Sequence, residues 1–332
     1  MTEILYDARW IGQHGIGRFA DELAKSLPEL RSFRRKRRPW HPFDPVLLGM
    51  ELWREMPKLF FSPGYNAPLG WPKPFVFTLH DLNHLCVPDN SSALKRAYYQ
   101  RIIRPACHRA AFVLTVSNYS RREIAAWARV DEQKVVNVGN GVGEPFTADG
   151  AKHEPGYPYL LYVGSHKPHK NLPRLLEAYE ASGTYDDVRL VMTGTPSREL
   201  KAAVDELRLG ANIQFVRTAN NRELAQLYRG ALGLVFPSLY EGFGLPPLEA
   251  MACGAPVLTS NVCSLPEVVG NAGILVDPLN VEQIADGIRR LVRDADMRAN
   301  LRQMGLLRAR GFTWGETSRK TREVLRLALA TN

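Results

Sequence analysis

Short apolar runs alternate with amphipathic stretches along the whole chain. Runs rich in Val, Ile, Leu and Phe predict strands at 3–8, 58–62, 75–80, 112–117 and 134–138 in the first half, and at 159–163, 189–193, 213–216, 232–236, 256–259 and 273–276 in the second. Apolar residues at helical spacing predict helices at 17–27, 94–109, 119–128, 172–181, 198–208, 221–229, 247–253, 281–293 and 296–309. Strands that alternate with helices indicate parallel sheets with helices on both faces, so we expect an α/β protein with doubly wound sheets.

A stretch rich in Gly and Pro, residues 140–158, interrupts this alternation and is predicted to be a linker. The length of 332 residues is enough for two domains, each with its own core. We therefore expect a first domain over 1–150 and a second of similar size that begins at 151. Ligands of such sheets bind at the carboxyl ends of the strands, so the cleft between two facing domains is the expected site.

The composition argues against several classes of protein. An apolar fraction of 45% and a charged fraction of 23% are typical of a globular chain rather than a disordered one. Apolar runs such as 110–116 are too short to cross a membrane, and the first residues lack the basic and apolar regions of a signal peptide. The four cysteines form no C-x-x-C pair, which argues against a zinc site and a disulfide framework. We expect a cytoplasmic protein.

The net charge of +9 favours an acidic partner: nucleic acid, an anionic membrane surface or a phosphate-rich small substrate. The densest basic run, residues 34–38, lies between Phe33 and Trp40. A solvated loop would explain it, and so would a peripheral contact of these cations with anionic lipid at the inner face of the cytoplasmic membrane. No nucleic-acid-binding motif accompanies it, so nucleic acid is not an expected partner.

The segment "SLYEGFGLPPLEAMACGAPV", residues 238–257, follows the predicted strand at 232–236. Gly242 and Gly244 allow a tight turn with accessible backbone N–H groups at the start of a helix, which suits a phosphate. Glu241 and Glu249 accept hydrogen bonds but donate none, so they suit sugar and ribose hydroxyls. This pattern favours a nucleotide sugar. In the alternative interpretation Glu249 only complements the helix dipole and Glu241 is a solvated acid.

The same segment resembles the E-x7-E signature of retaining glycosyltransferases of the GT-B fold, family 4. Further likeness to this family lies at 159–179, 221–244 and 312–325. The segments "FFSPGYNAPLGWPKPFVFTLHDL" and "LTVSNYSRREI" are similar to members that build bacterial surface polysaccharides, many of them mannosyltransferases. The resemblance implies two facing Rossmann-like domains, with the donor domain over 151–311 and a terminal helix at 312–332 that crosses back to the first, acceptor-binding domain.

The resemblance also implies roles for residues of the second domain. Glu241 would contact hydroxyls of the donor sugar, Glu249 would hold the ribose diol, and Lys170 would stabilise the diphosphate. The turn at Gly242, Phe243, Gly244 and Leu245 would offer backbone N–H groups to the donor. Many members have arginine where this chain has Ser165 and His169, so fewer fixed cations would contact the diphosphate.

Residues of the first domain also match the family. His80 stands where the family places a histidine near the reacting sugar carbon. The segment 13–23 resembles the glycine loop that faces the donor phosphates, in which Gly15 and Gly17 would allow close approach. Weaker candidates for binding the acceptor share this domain: Arg18, Asn66, Asp81 and Asn118.

The expected activity is retaining transfer of a hexose, with mannose from GDP-mannose as the favoured donor, to a saccharide or lipid-linked oligosaccharide acceptor. No cofactor and no metal are expected, so transfer should persist in chelator. Two alternatives stay open at this point, an NAD-type oxidoreductase and a catalytically silent GT-B scaffold. The turn "GQHGIGRF" lacks the G-x-G-x-x-G spacing of dinucleotide-binding folds, which argues against the first.

Overall fold

The computed structural model describes residues 4–12, 15–33, 38–87, 91–218 and 220–330. The chain folds into two compact units. Unit 1 contains the described residues up to Gly141 and those from Thr313 onward, and unit 2 contains Val142–Phe312. Among the described residues, no helix is both long and apolar enough to cross a bilayer.

Unit 1 is built on a parallel sheet of six strands in the order β2-β1-β3-β4-β5-β6. The strands are β1 Ile4–Asp7, β2 Leu30–Phe33, β3 Leu59–Ser62, β4 Phe75–Thr78, β5 Phe112–Thr115 and β6 Val135–Asn137. The central strands β1, β3 and β4 are buried along their whole length, which is why they are apolar on both faces.

Helices cover this sheet: α1 Gly15–Ser26, α2 Asp44–Glu55, α3 Asn83–Cys86, α4 Ala93–Tyr98, α5 Arg104–Arg109, α6 Asn118–Ala128 and α14 Trp314–Ala330. A π-helical turn, Tyr99–Ile103, joins α4 to α5. The terminal helix α14 packs on α1, and Arg322 of α14 pairs with Glu29 at 2.6 Å. At position 141 only glycine fits, because a Cβ there would lie 2.3 Å from the Trp314 backbone nitrogen.

Unit 2 contains a second parallel six-stranded sheet, in the order β12-β11-β10-β7-β8-β9. Its strands are β7 Tyr159–Tyr162, β8 Arg189–Thr193, β9 Ile213–Val216, β10 Gly233–Phe236, β11 Val257–Ser260 and β12 Ile274–Val276. Its helices are α7 Leu172–Ala181, α8 Arg198–Glu206, α9 Asn221–Gly230, α10 Leu245–Ala252, α11 Leu265–Val269, α12 Val281–Arg293 and α13 Ala295–Ala309. These two sheets confirm the predicted doubly wound α/β class.

Four strands or α-helices of the fold were not predicted: β2, α2, α3 and α11. The edge strand β2 has two exposed polar residues, Arg31 and Ser32, at its centre, so it lacks the apolar run used to predict strands. Helix α2 has apolar residues on nearly all sides, which hides its helical period. Helices α3 and α11 have only four and five residues.

The predicted linker, residues 140–158, is packed on a folded unit for most of its length and does not connect the two units as a free segment. The units divide between Gly141 and Val142, nine residues before the predicted boundary at 150, because the chain beyond this point packs on unit 2. The Arg229 guanidinium donates hydrogen bonds to the carbonyls of Pro145, Thr147 and Ala151. Hydrogen bonds from a residue of α9 therefore hold the predicted linker in place, although its composition is typical of a loop.

A buried ion network lies at the carboxyl end of β1 in unit 1. The Arg9 guanidinium donates to Asp7 at 2.7 Å and to Asp44 at 2.6 Å, and all three side chains are about 1% exposed or less. The Asn66 amide donates to Asp44 at 2.6 Å and to the Pro39 carbonyl at 2.6 Å. This network joins the loop after β1, the start of α2 and the loop after β3. One arginine thus compensates two buried carboxylates.

Candidate active site

Two charged side chains meet where the strand order of unit 2 reverses. β7 and β10 are neighbours in the sheet, but the chain continues from β7 to β8 on one side and from β10 to β11 on the other. Loops that diverge at such a switch point leave a crevice that binds ligands in doubly wound sheets. Lys170, on the loop after β7, donates to Glu241, on the loop after β10, at 2.5 Å. Their side chains keep 13% and 14% exposure, so solvent reaches both.

The chain around Lys170 is held from three directions. A 3-10 turn, Pro168–Lys170, ends at Asn171 in the left-handed region (φ 61°), which asparagine tolerates better than most residues. The buried Asn171 amide donates to the Pro237 carbonyl at 3.0 Å and to the Pro278 carbonyl at 2.7 Å. The Lys170 ammonium also lies 5.1 Å from the Phe236 ring centre. Lys170 is therefore placed by the loops after β10 and β12 as well as by its own.

The turn after Glu241 presents free backbone donors. Gly244 has φ +106°, and a Cβ there would lie 2.8 Å from Leu265, so only glycine fits. The buried Ser264 hydroxyl lies 2.8 Å from the carbonyl oxygens of both Glu241 and Phe243 and holds the turn. Within the described part of the chain, the N–H groups of Phe243, Gly244 and Leu245 have no hydrogen-bond acceptor. These donors at the start of α10 suit an anion.

The second acid of the signature lies deeper than predicted. Helix α10 begins at Leu245 rather than at 247, because prolines 246 and 247 fit its first turn, where a missing N–H costs little. Glu249 is consequently the fifth helical residue, not part of the first turn, and is 3% exposed. The Tyr228 hydroxyl of α9 donates to its Oε2 atom at 3.0 Å. The alternative of a surface acid at a helix terminus is thus wrong for Glu249.

We expect Tyr228→Phe to lower the free energy of unfolding by about 1.5–3 kcal/mol, because the buried Glu249 carboxylate loses a donor. Chemical denaturation monitored by circular dichroism measures this. The matched change Tyr159→Phe removes a buried hydroxyl that donates to the neutral Leu227 carbonyl, and should cost about 1 kcal/mol. Equal losses of unfolding free energy in the two variants would show that the hydrogen bond from Tyr228 to Glu249 stabilises the fold no more than one to a neutral carbonyl.

The two positions at which many family members have arginine carry no cation at neutral pH in this chain. His169 is buried, and burial together with the neighbouring Lys170 lowers its pKa to about 4. Ser165 is exposed, and its carbonyl accepts a hydrogen bond from the Tyr162 hydroxyl at 2.7 Å. Burial and the nearby Glu241 raise the Tyr162 pKa, so this hydroxyl keeps its proton. Lys170 therefore provides the positive charge of this loop next to Glu241.

In unit 1, His80 lies two residues beyond the end of β4 and is half-buried. Its Nε2 atom is 2.9 Å from the Pro63 carbonyl, which fixes the proton on Nε2, and its ring meets Phe19 edge-on at 5.0 Å. The backbone and Phe19 therefore orient the ring. Its role near the reacting carbon stays a prediction.

The predicted glycine loop differs in detail. Gly15 is the first residue of α1 and Gly17 is its third, so Gly17 lies in a helix and not in a loop. A Cβ at Gly17 would be 2.5 Å from the Gly12 carbonyl oxygen, so this glycine allows close packing of α1 on the preceding chain. Residues 13 and 14 lie outside the described residues. Arg18, which follows Gly17, is half-buried.

The weaker acceptor candidates have different surroundings. Asn66 is 1% exposed and is part of the ion network, where it also accepts from the Trp10 indole at 2.6 Å. Its contact with the acceptor stays a prediction. The Asp81 carboxylate accepts from the Asn83 backbone at the start of α3. Asn118 is exposed at the start of α6 and accepts from Asn137 at 3.1 Å.

Sequence reasoning missed three residues that shape the site: Asn171, Tyr228 and Ser264. Each of these side chains makes hydrogen bonds to a segment distant in sequence, so no local motif identifies it. Among the described residues, no group of three or more His, Cys, Asp or Glu side chains could hold a metal ion.

Comparison with known proteins identifies the family of this chain. Residues 146–307 match the family described as glycosyl transferases group 1, and residues 13–143 match glycosyltransferase family 4. O-antigen chain mannosyltransferase B of Escherichia coli is 31% identical over 277 residues, which cover 79% of this chain and 72% of that protein. O-antigen chain mannosyltransferase RfbU of Salmonella typhimurium is 31% identical over 65% of this chain and 63% of its own length.

Among solved structures, sucrose-phosphate synthase from Thermosynechococcus elongatus is similar, with a TM-score of 0.78, 18% identity and 99% of both chains covered. At this identity the likeness concerns the fold alone. The sequence relatives carry the assignment of the family, because the match to the Escherichia coli protein extends through most of both chains. The chain therefore belongs to the family 4 glycosyltransferases, built on the GT-B fold.

Proposed function

We propose that this enzyme transfers mannose from GDP-mannose, with retention of configuration, to a saccharide or lipid-linked acceptor in surface polysaccharide biosynthesis. The observation that carries the proposal is the contact of Lys170 with Glu241 at the switch point, beside the free N–H groups of 243–245. A cation and backbone donors suit a diphosphate, and a carboxylate suits sugar hydroxyls. The names of the two bacterial relatives support mannose and O-antigen.

In this proposal the bond between the sugar anomeric carbon and the diphosphate oxygen breaks, and its electron pair stays on the diphosphate. Lys170 and the N–H groups of 243–245 stabilise the negative charge that grows there. Glu241 holds the sugar hydroxyls, and Glu249, oriented by Tyr228, holds the ribose diol. An acceptor hydroxyl forms the new bond on the same face, and its proton passes to the departing phosphate oxygen.

We propose further that transfer needs no divalent metal, because protein groups supply the positive charge at the diphosphate. All four cysteines are free thiols. Free thiols are typical of a reducing compartment, which supports our proposal of a cytoplasmic enzyme that uses a cytoplasmic nucleotide sugar.

A thermal-shift panel with GDP, UDP, dTDP, ADP and NAD, all in EDTA, tests the donor class. We expect GDP to stabilise the enzyme selectively, by about 2.7 kcal/mol at a hundred times its Kd. Lys167→Ala, a change at an exposed lysine of the same loop, should keep the GDP shift, whereas Lys170→Ala should reduce it. Selective stabilisation by UDP would replace the guanine donor, and a shift with NAD alone would contradict the glycosyl donor. A GDP shift that needs magnesium would contradict metal independence.

A further inference from the structure

Helix α2 of unit 1 exposes a row of large apolar side chains to solvent. Phe43, Val46, Met50 and Trp53 follow one another at intervals of three or four residues, which places them on one side of the helix. Leu69 lies beside them, and the five side chains are between 44% and 68% exposed. We call these five residues the α2 face. Contiguous apolar surface of this kind on a globular domain marks an interaction site.

The opposite side of α2 already packs on unit 1. Leu48 and Leu52 are fully buried in its core. Gly49 lies so close to the chain at Leu69 that a Cβ would be 2.0 Å from the Leu69 carbonyl oxygen. The Trp53 indole donates to the Gly70 carbonyl at 2.8 Å. The α2 face is therefore the solvent-exposed side of a helix whose other side is packed into the core of unit 1.

Basic residues outnumber acidic ones in the sequence around this face. Arg54 and Lys58 are exposed at the end of α2 and just beyond it. Arg38 lies 5.9 Å from the ring of Trp40, which is itself 56% exposed. From 31 to 58 the sequence has eight Lys or Arg and three Asp or Glu. Four of these eight cations, residues 34–37, lie outside the described residues, so the balance of eight to three is a property of the sequence alone.

We propose that the α2 face docks on an anionic lipid bilayer, with its apolar side chains at the level of the acyl chains and the surrounding cations at the headgroups. Aromatic side chains with a polar atom, such as Trp53, suit a membrane interface, and apolar burial combined with basic flanks is the usual requirement for peripheral binding. This proposal places the enzyme at a membrane surface. It does not depend on the proposed function, since lipid binding can be measured with no sugar donor.

A second copy of the chain would fit this surface less well. In a two-fold dimer the same patch faces itself, so the basic flanks of both copies would approach each other. Like charges at an interface weaken association, whereas anionic headgroups complement the same cations. Charge therefore favours lipid as the occupant.

Flotation with vesicles of phosphatidylcholine and phosphatidylglycerol tests this proposal on the chain of 332 residues. We expect wild type to float with these vesicles much more than with phosphatidylcholine alone. The double substitution Phe43→Ser/Met50→Ser should reduce the bound fraction about tenfold or more, because it removes two apolar anchors. Leu94→Ser/Leu307→Ser, which removes two exposed leucines elsewhere, should change binding less than twofold.

Unfolding curves and light scattering show whether a loss of lipid binding comes from unfolding, from a change of oligomeric state or from the loss of the docking surface itself. The expected result is unchanged unfolding for both double variants and a monomer at all concentrations tested. Flotation that is equal in Phe43→Ser/Met50→Ser and wild type would overturn the proposal. A wild-type dimer that this variant abolishes, without any flotation, would assign the face to a second copy. Quenching of Trp fluorescence by brominated lipid, reduced in Trp53→Phe with flotation retained, would confirm that α2 itself meets the bilayer.

Discussion

Lys170→Ala is expected to lower the rate of sugar transfer by about 10²–10³-fold while the fold stays intact. Lys170 is the cation of its loop that contacts Glu241, and its neighbour His169 is neutral above a pKa of about 4. A donor aimed at charge that develops in the transition state contributes on this scale when it is removed. Initial rates with a radiolabelled nucleotide sugar measure the effect, and thermal unfolding shows whether the structure survives.

Lys167→Ala is the matched control, since this lysine is exposed in the same loop and should tolerate the change with less than a twofold effect. Glu241→Ala should also lower transfer by orders of magnitude. Because the two side chains contact each other, the double variant should be less impaired than the product of the single effects predicts. Full activity of either single variant would remove that residue from the proposed site.

Arg9→Met is expected to destabilise the protein by about 3–5 kcal/mol, the largest stability effect we predict for unit 1. The change removes the arginine that pairs with the buried carboxylates of Asp7 and Asp44. Denaturant unfolding at pH 7 measures it. Arg31→Met breaks an exposed pair with Glu55, so it should cost less than about 1 kcal/mol.

The cost of Arg9→Met should depend on pH. Burial raises the pKa of Asp7 above its ordinary value of 3.8, although Arg9 opposes this. The folded chain therefore holds this proton more tightly than the unfolded chain, and the contribution of Asp7 to stability falls as pH rises above 3.8. Without Arg9 that pKa rises further, so the variant should lose less stability at pH 5 than at pH 7. A loss that is equal at both values would show that the missing charge is not the cause.

The alternation of strands and helices could be read from the sequence because fully buried parallel strands are apolar on both faces, as in β7 and β10. The same reasoning failed for β2, an edge strand with exposed polar positions. It also failed for α2, whose apolar residues both fill the core and cover the α2 face. A helix with two apolar sides has no single periodic stripe to detect.

The site was predictable where chemistry lies within one segment. Glu241, Gly244 and the start of α10 belong to one turn, so their spacing indicates an anion site. The contact of Lys170 with Glu241 depends on strand order, and the burial of Asn66 depends on three other segments of unit 1. Contacts of that kind follow from the assembled sheet and leave no local signal in the sequence.

The contact of Lys170 with Glu241 joins residues 71 positions apart, with β8, β9 and β10 between them in the chain. The loops after β7 and β10 come together only when these two strands have paired. A nascent or partly unfolded chain therefore lacks the pair of side chains at which a ligand would bind. A ligand that binds at this pair would select the finished domain and stabilise it as a whole. The supply of nucleotide sugar in the cell would then set not only how fast this enzyme works but also how long each molecule of it survives proteolysis.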